Sequence, residues 1–264
     1  MVDFERKDFY NIRDYRRIME LLRAPGGCPW DAEQTHESIR RNLLEEAYEC
    51  VAAIDSGDAE NLCEELGDLQ MQILFHARME EEKGVFSFDD ICDGACKKLI
   101  YRHPHVFGNV AVDGSAQVLD NWEALKRTEK GQSTVSRAMT DVAETLPALW
   151  RAEKIQKKAA KVGFDWPDWT GARDKILEEL AEVTEAVDTH GDVAGEIGDL
   201  LAAVVNMARL LKVDPEQALH GSCERFINRF TCMEQQAEAA GTPLETLPLS
   251  RQDELWELAK QKLS

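Results

Sequence analysis

One stretch of this chain occurs twice. Residues 43–80 open Leu43-Leu44-Glu45-Glu46-Ala47-Tyr48-Glu49 and continue to Glu65-Leu66-Gly67-Asp68-Leu69. Residues 176–212 open Ile176-Leu177-Glu178-Glu179-Leu180-Ala181-Glu182 and continue to Glu196-Ile197-Gly198-Asp199-Leu200. In each copy a Gly-Asp turn, Gly57-Asp58 or Gly191-Asp192, separates two acidic stretches, and an apolar run ending in Ala77-Arg78 or Ala208-Arg209 follows. A duplication at this register requires one supersecondary unit to form twice. The period of that unit is helical. Leu62, Leu66, Leu69 and Ile73 fall at spacings of four, three and four, on one helix face. Ile197, Leu200, Leu201, Val204, Val205 and Ala208 make a broader stripe, the pattern of a helix buried between several neighbours. Nothing alternates with period two for long enough to make a strand. The chain therefore reads as all-α, with two tandem homologous helical modules, each built on an antiparallel helix pair.

Glycine and proline mark the joints. Ala24-Pro25-Gly26-Gly27-Cys28-Pro29 must be a loop, Ser56-Gly57-Asp58 and His190-Gly191-Asp192 are tight turns, and Pro104 stops a helix ending near Arg102. The polar run Lys130-Gly131-Gln132-Ser133-Thr134-Val135-Ser136 follows a charged helix. These marks divide the 264 residues into an N-terminal module over 1–130, a linker over 131–147 and a C-terminal module over 148–264. Two helices bury little core alone, so helix-bundle packing completed by a homodimer is expected.

Charge excludes some partners. With 50 acidic against 31 basic residues the net charge is -19, which repels nucleic-acid backbones and anionic membranes, so neither is an expected partner. No apolar run is long enough to span a bilayer. The seven cysteines are odd in number and contain no C-x-x-C pair. They suit free thiols in a reducing cytoplasm, and they lack zinc-ligand spacing. The opening Met1-Val2-Asp3-Phe4-Glu5 lacks the basic and apolar regions of a signal peptide.

The acids carry the chemistry. Each module has E-E-x-x-E and then, after the turn, E-x-x-D. Residues three apart share a helix face, so Glu179 points with Glu182 and Glu196 with Asp199. Folding the pair at Gly191 lets four carboxylates converge. Their mutual repulsion costs a few kcal/mol unless a cation lies between them. Such oxygen donors suit Mg²⁺, with Mn²⁺ as a substitute, and leave positions for water and substrate phosphates. In a chain with 50 acids a single E-x-x-E reads as a solvated face; two copies in matching register do not. A di-iron carboxylate bundle needs Glu-x-x-His pairs, and neither acidic helix pair has one.

Further segments carry a resemblance: Gly27-Cys28-Pro29-Trp30-Asp31, Arg102-His103-Pro104-His105-Val106-Phe107 and Val162-Gly163-Phe164-Asp165-Trp166. With the acidic repeat they make the chain similar, over nearly its whole length, to the MazG family of nucleoside triphosphate pyrophosphohydrolases. The resemblance implies an all-α fold, a dimeric active unit, and Mg²⁺-dependent hydrolysis of (deoxy)nucleoside triphosphates to monophosphate and pyrophosphate, in nucleotide-pool housekeeping or stress regulation. It also implies metal binding by Glu179, Glu182, Glu196 and Asp199, with Glu178 orienting or deprotonating the attacking water. Lys175, Arg225 and Arg229 are the implied phosphate contacts. Trp256 and Lys260 match positions that close over the nucleotide, Trp256 by stacking on the base. Asp192 departs from the pattern, standing where a basic residue would meet phosphate.

The first module keeps a possible second site in Glu45, Glu46, Glu49, Glu65 and Asp68, with Lys98 and Arg102 spaced like Arg225 and Arg229. It has Asn42 in place of Lys175 and no counterpart of Trp256 and Lys260. The second module is therefore the expected main catalyst. Two other classes compete: a narrow dUTP or phosphoribosyl-ATP pyrophosphohydrolase, and a non-catalytic helical regulator that binds nucleotide or protein. Trp30, Trp122, Trp150, Trp166 and Trp169 read as core or interface packing, and Cys92 and Cys96 as buried thiols.

Overall fold

A computed structural model of the protein describes residues 4–129, 131 and 134–263, the side chain of Asp120 excepted. Met1, Val2 and Asp3, Lys130 at the end of the expected first module, Gln132 and Ser133 of the expected linker, and Ser264 lie outside the described residues. Among the described residues there is no strand, and no helix is long and apolar enough to cross a membrane. The chain divides into two compact units between Lys126 and Arg127.

The first unit contains α1 (Ile12–Arg23), α2 (Pro29–Glu33), α3 (Arg40–Ser56), α4 (Ala59–Lys83), α5 (Phe88–Arg102), α6 (Pro104–Phe107) and most of α7 (Gly114–Glu129). Each boundary has a local cause. Asn11 and Asp14 form a capping box at the start of α1. Gly57, at φ 70, ends α3 in the left-handed region that glycine adopts freely, and the Asp58 carboxylate accepts the N–H groups of Glu60 and Asn61 to start α4. The core lies where α1 crosses the hairpin. Met19, Ile39, Leu74, Phe75 and Met79 are buried together, with Tyr15, Met71 and Phe88 packed around them. The Tyr15 hydroxyl donates to the Gly67 carbonyl at 3.1 Å, tying α1 to the acidic end of α4.

The second unit contains α8 (Val135–Thr140), α9 (Ala148–Ala160), α10 (Trp169–Thr189), α11 (Val193–Leu210), α12 (Pro215–Ala239), a 3₁₀ turn (Leu244–Thr246) and α13 (Leu249–Lys262). Its hairpin, α10–α11, turns at His190 rather than at a glycine; His190 has φ 57, and the Asp192 carboxylate then caps the Gly195 N–H. Helix α9 crosses the hairpin as α1 does. Gln156 Nε2 donates to the Ala202 carbonyl at 2.8 Å, and Trp150 Nε1 donates to Asp214 Oδ1 at 2.9 Å. Helices α12 and α13 close on Cys232, Met233, Ala237, Leu255 and Ala259.

Three expectations change. Val135–Thr140, inside the stretch read as linker, is helical, because Thr134 caps it and its buried Ala138 gives it a core contact. Cys92 and Cys96 are exposed, since they lie on the open side of α5. The broad α11 stripe is only half covered: Val205 is buried and Leu200 and Ala208 are half-buried, whereas Ile197, Leu201 and Val204 are exposed. Leu177, Leu180 and Phe226 on α10 and α12 are also exposed.

Candidate metal and nucleotide site

The second hairpin brings acids from two helices together. Oxygens of Glu179 on α10 and of Glu196 and Asp199 on α11 all lie within 4.8 Å of one another. Glu179 is 4% exposed, a burial that an acid tolerates only with a compensating partner. One partner is Lys175, one turn earlier, whose Nζ lies 2.6 Å from Glu179 Oε1 and 2.8 Å from Glu178 Oε1. The bonds to Glu178 and then Glu179 raise the Lys175 pKa, and Lys175 in turn holds the Glu179 carboxyl below the usual carboxylate range. The other oxygen, Glu179 Oε2, is buried with no hydrogen-bond partner among the described residues. Glu182 stands outside the close triad. It is pushed up chiefly by a hydrogen bond with Glu179, then by burial. Carboxylates gathered this closely, one of them with a buried oxygen that accepts no hydrogen bond among the described residues, form a donor set that a hard divalent cation satisfies.

The first hairpin repeats the arrangement with different neighbours. Glu46, Glu49 and Glu65 form its close triad, and Asp68 stands outside. Among the described residues no lysine pairs with Glu46; Gln72 Nε2 donates to its Oε1 at 3.4 Å instead. Burial, then Asp68 and Glu49, push Glu46 up, and burial and Glu49 push Glu65 up. Gln72 was not singled out in the sequence, although it stands where the second copy has Ala203. Glu45 turns away to Arg41, at 2.7 Å.

A carboxylate whose pKa is raised by folding binds more protons folded than unfolded. It therefore costs stability as pH rises through that window. Glu46→Gln should raise the melting temperature of the metal-free protein at pH 7. It should also flatten the part of the stability–pH curve just above the usual glutamate range; calorimetry from pH 4.5 to 7.5 in EDTA reads both.

The basic and aromatic candidates gather separately. Arg225 and Arg229 line one cavity with Asn228, Cys232 and Lys262, between α12 and the end of α13. The Arg229 guanidinium lies over the Trp256 ring at 5.8 Å, and Phe226 meets that ring at 5.0 Å. Trp256 thus has intramolecular neighbours on its ring, which fix Arg229 in place. Lys260 pairs with Glu257 at 2.6 Å. Among the described residues no hydrogen bond, ion pair or ring contact joins these four to the acids of α10–α11. In the first unit Arg102 is 7% exposed with its guanidinium over Trp122 at 5.2 Å, while Lys98 is exposed.

The MazG nucleotide pyrophosphohydrolase domain matches residues 34–107 and 171–231, which is more than half of the chain. The chain belongs to the MazG family. The two MazG segments contain all ten candidate acids with Lys175, Arg225, Arg229, Lys98 and Arg102, and leave Trp256 and Lys260 outside. A nucleoside triphosphate pyrophosphohydrolase/pyrophosphatase MazG of Thermotoga maritima is 45% identical over 243 residues, covering 92% of this chain and 93% of that protein. A nucleoside triphosphate pyrophosphohydrolase of Escherichia coli is 42% identical over 250 residues, covering 93% and 95%. The uncharacterized protein YabN of Bacillus subtilis is 43% identical over 96% of this chain but only 52% of its own length. This MazG chain is all-α, with the two matched segments centred on its two acidic hairpins.

Proposed function

We propose that this MazG protein is a nucleoside triphosphate pyrophosphohydrolase that uses Mg²⁺ at the α10–α11 hairpin to convert (deoxy)nucleoside triphosphates to monophosphate and pyrophosphate. The observation that carries the assignment is Glu179: a buried carboxylate with one oxygen on Lys175, the other unpartnered, and Glu196 and Asp199 within ligand distance. Glu179, Glu182, Glu196 and Asp199 would hold the metal, which supplies charge neutralisation for the phosphates and acidifies water. Glu178, exposed and bound to Lys175, accepts a proton from water aligned on the α–β phosphate link. That water adds to phosphorus as the bond to the pyrophosphate oxygen breaks. Lys175, held at Glu178 and Glu179, would be within one helical turn of a phosphate bound at a metal there. Arg225 and Arg229 take charge building on the leaving pyrophosphate. Trp256 holds Arg229 for that contact, and Lys260 lies one turn further along α13.

The second module, over 148–264, is the main catalyst, because among the described residues its buried acid is the one paired with a lysine. The exposed apolar faces of α10, α11 and α12 suit a second copy of the chain. Seven free cysteines fit a reducing cytoplasm.

Each (d)NTP should be turned over with Mg²⁺, and with Mn²⁺ in its place, and none in EDTA. A non-catalytic regulator would bind nucleotide without turnover under any metal, and a single productive base would place the chain among the narrow-substrate hydrolases.

A further inference from the structure

Two histidines of the first unit meet away from its acidic triad. His36 lies in the short segment 34–39 between α2 and α3, and His76 and Glu80 lie one turn apart on α4. The two Nδ1 atoms stand 2.7 Å apart, and His36 Nε2 stands 2.6 Å from Glu80 Oε1. The ring centroids are 5.0 Å apart and the ring planes differ by 6°. That separation is the N···N distance plus one ring radius on either side. The rings therefore meet edge to edge in a common plane, nitrogen against nitrogen. We propose that this pair is a pH-sensitive clasp that fastens the entry of α3 to α4 and releases it in mild acid.

The gap holds one proton. In an N–H···N bond one ring donates and the other accepts. Two nitrogens bound to one tetrahedral zinc would stand more than about 3 Å apart, so the distance suits a shared proton rather than a shared metal. An ionised Glu80 only accepts, so His36 donates to it through Nε2. In the neutral pair His36 Nδ1 is then the acceptor and His76 Nδ1 the donor, which leaves His76 Nε2 as a bare lone pair. That nitrogen is buried with no hydrogen-bond partner among the described residues. A charged N–H at the same point costs more than a lone pair. Protonating both rings sets two N–H groups head-on. Burial, and then the charge of His36, accordingly hold the His76 pKa below the ordinary histidine value. The His36 side chain is 34% exposed, which gives protons from water a route to the pair.

The neighbouring charges do not supply this response. Lys83 on α4 lies 2.6 Å from Glu80 Oε1, Glu37 lies beside His36 in the segment, and Arg23 of α1 donates to the Gln34 carbonyl at 3.3 Å. Lys83 and then His36 hold Glu80 below the usual carboxylate range, and its own backbone N–H and then Thr35 do so for Glu37. Both stay ionised where histidines titrate. Glu46 and Glu65 of the first triad are pushed up, so they favour the folded state as pH falls. A histidine held low has the opposite sign: its contribution is full above the unfolded value and is lost as pH falls from there towards the folded one.

The clasp sits where it can act on the hairpin. Next to it Ile39 is 3% exposed in the core with Leu74, Phe75 and Met79. Helix α3 then carries Glu46 and Glu49, two of the three acids in the first close triad. Opening the clasp loosens that half of the triad. The second copy has Trp169, Met207 and Leu211 at the register of His36, His76 and Glu80, so its hairpin lacks the device.

The test uses the full-length protein in EDTA. Long-range ¹H–¹⁵N spectra of protein labelled at its six histidines should show, at pH 8, His76 as the Nδ1–H tautomer and His36 as the Nε2–H tautomer. Amide protection at the start of α3, corrected for intrinsic exchange, should fall roughly five- to tenfold from pH 7 to pH 5.5, the scale of taking up one proton on opening. His76→Asn, whose amide nitrogen stands in for Nδ1 and does not titrate, should keep the contact at pH 7 and lose most of the pH dependence. His76 in the Nε2–H form at pH 8 overturns the proposal. So does wild-type protection that is equal at the two pH values, or a folded His76→Asn protein as pH-dependent as the wild type. The tautomers and the wild-type pH series decide the matter even where His76→Asn does not fold.

Discussion

Glu179→Gln should lower triphosphate hydrolysis by roughly 100- to 1,000-fold, the scale of deleting one preorganised electrostatic contact at a reacting phosphate. The substitution keeps the size of the side chain and a hydrogen bond for Lys175, so the fold should survive. What disappears is the anionic oxygen at the centre of the Glu179, Glu196 and Asp199 triad. A ligand that binds only the folded state raises its stability, so Mg²⁺ should shift the melting of the wild type and shift that of the variant less. Glu46→Gln should cost less than about tenfold in the same assay, because an uncompensated acid without a lysine is the weaker catalytic centre. Rates of both variants at saturating Mg²⁺ decide the matter. Full activity in Glu179→Gln with loss in Glu46→Gln would transfer the main site to the first hairpin.

Asp165→Ala should destabilise the second unit by roughly 2–4 kcal/mol, somewhat below the range for stripping one partner from a fully buried ion pair. Arg209 is 10% exposed at its side chain and Asp165 23%, so the discount for solvent is modest. The orphaned guanidinium would retain only its Nε hydrogen bond to Asn206 Oδ1. Arg209, chiefly through its hydrogen bonds, holds the Asp165 carboxyl below the usual range. A depressed carboxylate contributes stability above its unfolded pKa and loses it as pH falls through the folded value. The gap between wild type and variant should therefore be full at pH 7 and shrink in acid. Urea unfolding at pH 7 and pH 3.5 measures it; an equal gap at both would show that Asp165 acts through packing rather than charge.

The architecture was legible because its signals are local. The stripe of Leu62, Leu66, Leu69 and Ile73, the Gly57 and Asp58 turn and the register of the ten acids depend on neighbours a few residues away, and the structure has a hairpin at each copy. What was not legible depends on tertiary context. Nothing in the sequence around Val135 announces that Ala138 will find a core. Cys92 and Cys96 look apolar enough to bury until α5 turns them outward. Gln72 beside Glu46, and Trp256 between Arg229 and Phe226, are contacts between helices distant in sequence. Trp166 read as packing; its place at the rim of a cavity beside Gln156 and Asn206 needed the Arg209–Asp165 pair and Gly171, from two other segments. Half of the α11 stripe lies open, because the described residues of the second unit cover only one side of that helix.

On the proposed function, the acidic hairpins serve cleavage between the α and β phosphates. Phosphorus-31 NMR of the full-length protein with a deoxynucleoside triphosphate and Mg²⁺, free of contaminating pyrophosphatase, tests it most directly. A growing pyrophosphate resonance matched one to one by monophosphate is expected, with neither signal when EDTA is present. Orthophosphate appearing with the diphosphate would place the cut at the γ phosphate and contradict it.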